Sequence, residues 1–169
     1  MKKLRGILGN ALLLVFSVAG LAFMAMPWNA QKIIIGDVVN KTKEGLSVFD
    51  AIGNIADADP TKKAALAFYL MFAIVACIVA LTSIVSLVGV IVGNKKLNLT
   101  FYNRILSLIL LVFGLIAMIC SVAYFADIIS INVGGSGSET VAHGGAVLPM
   151  ICGLLALVSA FIAPSKKKA

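Results

Sequence analysis

The chain has 169 residues, of which 61% are hydrophobic and 12% charged. Soluble domains average about 45–50% apolar and about 25% charged residues, so the composition excludes an ordinary water-soluble globule and points to a lipid bilayer. The net charge of +7 needs no nucleic-acid partner to explain it, because the bases sort by membrane side.

Four runs carry no Asp, Glu, Lys or Arg: residues 6–31, 64–94, 105–126 and 140–165. A helix rises about 1.5 Å per residue, so roughly 20 residues cross the hydrocarbon. The expected fold is all-α, a four-helix integral membrane bundle forming one polytopic domain. Its spans are placed at 7–26, 65–92, 105–126 and 144–163. The outer loops are 27–64 and 127–143, the inner loop is 93–104, and a basic inner tail covers 164–169. Lys2, Lys3 and Arg5, then Lys95, Lys96 and Arg104, then Lys166, Lys167 and Lys168 form three basic segments without an acid. The two remaining loops hold five lysines and all seven acids. Basic loops resist translocation, so both termini are expected in the cytoplasm and the protein in the plasma membrane. The same bases suit anionic headgroups. The first span begins like a signal peptide but is longer than the roughly 7–15 apolar residues of a signal core, so it is read as retained.

In the first outer loop, "KIIIGDVVN" (32–40) is rich in β-branched residues, and Ile33, Ile35 and Val38 are expected in an outer-cap strand. "LSVFDAIGNIA" (46–56) repeats Leu46, Phe49, Ile52 and Ile55 every three residues, which predicts a short amphipathic helix weakened by Gly53. Pro60 suits the entry to the second span. Within the spans, small residues recur at helical spacing: Gly89 and Gly93, then Ser107, Gly114 and Ser121, then Gly153, Ala156 and Ala160. Small residues let helix backbones approach in lipid, so these positions are expected to pack helices together. In the third loop, Ile129, Ile131 and Val133 alternate with polar residues and predict a second strand, followed by a flexible "GGSGS" connector. Pro149 is expected to bend the fourth span.

Three short matches recur in the same order. "LLVFS" (13–17) echoes "LLVFG" (110–114), "IIIGDV" (33–38) echoes "IISINV" (128–133), and "ALTS" (80–83) echoes "ALVS" (156–159). They suggest an internal duplication into parallel helix–strand–helix halves. On that reading residues 33–39 pair antiparallel with 128–133.

Chemistry is sparse. Cys77, Cys120 and Cys152 fall in spans, with no CxxC. No ionisable group lies at mid-membrane, which argues against pumps and proton-coupled carriers. Asp127, Glu139 and His143 could gather at the outer interface, but one His beside carboxylates is a weak catalytic signal, and interfacial solvation is the preferred reading. No catalytic, cofactor or metal site is expected. The leading expectation is a non-enzymatic interaction or scaffold subunit acting through its outer cap and small-residue helix faces. Its partners would be the bilayer and either another protein or further copies of itself. The alternative is an oligomeric channel or transporter component whose path is lined by hydroxyls of the second and third spans, among them Thr82, Ser83, Ser86, Ser107 and Ser121.

Four spans, cytoplasmic termini, a larger first outer loop and a strand-forming outer region make the topology similar to that of claudin-type tetraspan proteins. The Trp/Gly-Leu-Trp motif and paired loop cysteines of that family are absent, with Trp28 alone present. The resemblance therefore implies topology only and transfers no function or residue.

Overall fold

The computed structural model describes residues 2–35, 38–127 and 136–164. In chain order these form α1 (Lys2–Phe23), β1 (Asn29–Ile35), β2 (Val38–Glu44), α2 (Val48–Gly53), a 3-10 turn (Ile55–Asp57), α3 (Pro60–Val92), a second 3-10 turn (Lys95–Leu97), α4 (Thr100–Asp127), β3 (Ser136–Ala142) and α5 (Gly144–Ile162). Helices α1, α3, α4 and α5 are each long and apolar enough to cross a membrane. Each packs on two others, in the cyclic order α1–α3–α4–α5, so the bundle closes as a ring.

The helix ends follow local chemistry. Helix α3 starts at Pro60, whose missing N–H costs nothing in a first turn. Its 33 residues span about 50 Å, more than the hydrocarbon thickness. It stops at Gly93, which has φ 79°, a left-handed conformation that side chains disfavour. Gly93 is exposed, so this residue, expected at a helix contact, is instead the helix terminator. Asn98 Oδ1 accepts the Thr100 N–H at 3.1 Å and also the Thr100 hydroxyl, seeding the first turn of α4. The C-terminal end of α5 is held by Arg104, which donates from Nε to Ala160 O at 3.2 Å and from Nη2 to Ala163 O at 2.8 Å. Its guanidinium lies 4.9 Å from the Phe161 ring centroid.

The bundle centre is filled. Phe72 is fully buried, and a Cβ at Gly20 would come within 3.0 Å of its ring, one at Gly114 within 3.2 Å. The two glycines make the space the ring occupies. Leu13, Leu66, Val79 and Leu110 belong to the same buried core along the bundle.

Strand order is β2-β1-β3, antiparallel throughout. The "KIIIGDVVN" stretch is thus divided between two strands, with Ile35 opposite Val38. Gly36 and Asp37, between them in sequence, lie outside the described residues. Ile33 and Ile35 lie in β1 and Val38 in β2. The expected pairing with 128–133 is corrected. Both edges of β1 are taken, by β2 and by β3, and Ile33 faces Ser138. Ile129, Ile131 and Val133 lie outside the described residues. Part of "GGSGS" is strand: Ser136, Gly137 and Ser138 pair with Ile35, Ile34 and Ile33, because the ladder bonds offered by β1 outweigh a weak local propensity.

Helix α2 forms with Ser47 as its cap, accepting the Asp50 N–H at 3.1 Å. Its buried face is Val48 and Ala51, with Ile52 and Ile55 packed beside them, while Leu46 and Phe49 face outward.

Candidate functional site

The chain's single Trp organises the sheet end of the bundle. Trp28 sits between α1 and β1, where its backbone is fixed from two sides. Its N–H donates to Leu46 O at 2.8 Å, and its carbonyl accepts the His143 N–H at 3.0 Å. The indole Nε1 donates to Ser121 Oγ at 3.1 Å. Ser121 in turn donates its one proton to Ala117 O at 2.7 Å, and Tyr69 Oη donates to Ala146 O at 2.6 Å. The 3.3 Å approach of Ser121 Oγ to Tyr69 Oη therefore has no hydrogen left to carry it. The Trp28 ring lies parallel to Tyr124 at 5.9 Å and edge-on to Phe125 at 5.0 Å and to Tyr69 at 6.5 Å. Residues from α3 and α4 thus converge on one buried indole, and α5 joins through the bond from Tyr69 to Ala146.

Beside this cluster lies a cavity of about 400 Å³. Trp28, Tyr124 and Phe125 form its aromatic floor, Gly45, Leu46 and Ala51 its wall, and Asn29, Glu44 and Lys62 its polar rim. Lys62 Nζ is 6.0 Å from the Trp28 ring centroid. Trp28 and Tyr124 lie near the ends of apolar runs, where aromatic side chains favour the headgroup level, but nothing in the spacing joins positions 28, 44, 62 and 124. Only the folded chain brings them together around Trp28.

The small residues expected at helix contacts are turned inward. A Cβ at Gly114 would approach the Met150 backbone at 3.1 Å, and one at Gly153 the Leu111 backbone at 3.2 Å. Ser107, Ser121, Ala156 and Ala160 are buried. Gly89 packs against the second 3-10 turn, where a Cβ would lie 2.7 Å from Leu97 Cβ. These faces serve the chain's own bundle. The hydroxyls behave alike: Ser83, Ser107 and Ser159 each donate to the carbonyl four residues back. Thr82 does the same at 2.9 Å to Ile78 O. Pro149 is buried within α5. It cannot donate to the carbonyl four residues back.

At the opposite end Asn103 Nδ2 donates to Asn10 Oδ1 at 3.2 Å and lies 3.4 Å from Ser86 Oγ, which accepts the Leu99 N–H at 3.0 Å. Asn10 and Asn103 are each 1% exposed, and Asn103 Oδ1 has no protein partner. His143 caps α5 through its backbone, and its buried Nδ1 is unpartnered. Its side chain is the one member of the Asp127, Glu139 and His143 set that the structure describes. Among the described residues no three His, Cys, Asp or Glu side chains are placed to hold a metal ion. The cysteines are free thiols.

Fold and site define a multi-pass helical membrane protein, four apolar helices in a closed ring with a strand-bearing end. The chain matches no protein-family model, no curated protein and no solved structure.

Proposed function

We propose that the chain is a non-enzymatic membrane protein that engages a partner through its sheet end, with both termini cytoplasmic and the sheet on the opposite face. The observation that carries this reading is the allocation of side chains. Small and hydroxyl-bearing residues are used within the bundle, and Phe72 fills its centre. Along the spans the outward residues are large and apolar, among them Leu81, Ile119 and Val158, which suits lipid. Charged, aromatic and cavity-forming groups come together at the sheet end. The three acid-free basic segments support the orientation.

Two experiments test the proposal. A photo-reactive residue at position 46 in native membranes is expected to give one stoichiometric protein adduct, and the same residue at position 81 only lipid adducts. Uncrosslinked monomer alone at position 46 would overturn the partner. In intact cells, Leu46→Cys is expected to react with an impermeant thiol reagent and Lys96→Cys only after permeabilisation. The reverse pattern would overturn the orientation.

A further inference from the structure

The cavity carries more chemical information than partner docking requires. Its volume of about 400 Å³ falls within the roughly 300–1,000 Å³ of small-molecule sites. Lys62 belongs to the first turn of α3 and Phe125 to the last turn of α4, so the cavity sits where the apolar spans end. Leu46 in its wall is 53% exposed and Phe49 beyond it 43%, so apolar surface continues outward from the mouth. Aromatic side chains favour this depth, the level of lipid headgroups.

One base and one acid, Lys62 and Glu44, line the cavity. A singly charged occupant would meet a like charge at one of the two, which disfavours it. A zwitterion answers both. An ammonium also gains from the faces of Trp and Tyr rings, and the Trp28 face already has a cation 6.0 Å away in Lys62. We propose that the cavity binds a phospholipid whose headgroup carries both a phosphate and an ammonium. The phosphate lies toward Lys62, the ammonium toward Glu44 and the aromatic floor, and the acyl chains run down the apolar outer faces of the spans. This inference does not depend on the docking of a protein partner.

Trp28 is the only Trp in the chain and lines the cavity, so its fluorescence reports occupancy. The full chain is reconstituted in phosphatidylglycerol bilayers and titrated with phosphatidylethanolamine brominated on its acyl chains. At equal mole fraction, brominated phosphatidylethanolamine is expected to quench Trp28 about threefold more than brominated phosphatidylglycerol does. Glu44→Gln and Lys62→Gln are each expected to abolish that preference, while Lys96→Gln at the other end of the bundle keeps it. The Trp28 emission maximum without brominated lipid verifies that each variant is folded. Equal quenching by the two lipids, or a preference that survives both rim substitutions, would overturn the proposal. Millimolar phosphoethanolamine is expected to leave the quenching unchanged, because it lacks the apolar anchor. Displacement by it would reassign the site to a soluble phosphate ester.

Discussion

At the level of single residues, Trp28 and Gly145 hold the sheet end together. Trp28→Phe keeps an aromatic ring but removes the donor to Ser121, and is expected to cost about 1 kcal/mol. Trp28→Ala empties the cluster and is expected to cost about 3–5 kcal/mol. Thermal unfolding in detergent, followed by circular dichroism, measures both. A Cβ at Gly145 would overlap the carbonyl oxygen of Met26 and lie 2.8 Å from that of Pro27. Gly145→Ala is therefore expected to lower the midpoint sharply. Gly53 is the contrasting case: nothing lies within 4 Å of a Cβ there, so Gly53→Ala is expected to add about 0.4–1 kcal/mol. Sequence alone marks Gly53, which weakens an amphipathic repeat, but gives no sign of the constraint on Gly145, one of a pair opening an apolar run. What separates them is the passage of the Met26–Pro27 backbone over α5, a contact between positions more than a hundred residues apart.

Among the elements, the spans were readable because bilayer thickness imposes a length on apolar runs, and composition alone reports that length. The sheet was not, for reasons that particular residues expose. In "KIIIGDVVN" the β-branched run suggests one strand, whereas its two ends pair with each other, Ile35 opposite Val38. In "GGSGS" the glycines and serines suggest a connector, yet β1 offers Ser136, Gly137 and Ser138 a ladder. Strand β1 exchanges hydrogen bonds on both sides, while β2 has β1 as its neighbour in the sheet. Backbone amides of Ala30–Ile34 are accordingly expected to exchange with deuterium more slowly than those of Val39–Lys43, and equal rates in the two strands would contradict the strand order. Helix α5 offers a second test. Arg104→Lys loses the two-pronged contact with Ala160 and Ala163, which a single ammonium cannot reproduce. Faster exchange is expected in the last turn of α5, with the first turn unchanged.

For the molecule as a whole, the ring is braced across its two diagonals at opposite ends. Asn10 and Asn103 join α1 to α4 near the first helix's start, and Tyr69 and Ala146 join α3 to α5 near the sheet. Asn10→Ala and Tyr69→Phe touch no common partner, so their destabilisations are expected to add within about 0.5 kcal/mol. Asn10→Ala with Asn103→Ala is expected to fall short of the sum, because the second substitution removes a bond already broken. The closure of the ring also has a consequence for biosynthesis. A Cβ at Gly9 would come within 2.6 Å of the Ala163 nitrogen, so the face of the first span is shaped for the last. Those positions lie some 150 residues apart, and at about 5–20 residues per second the ribosome needs roughly 8–30 seconds to deliver the second after the first. Throughout that interval α1 presents an unfilled small-residue groove, and β1 lacks its β3 neighbour. The nascent chain must be held in the translocation machinery or by lipid until the fourth span arrives, and premature release at that stage would leave a three-helix intermediate open along one side.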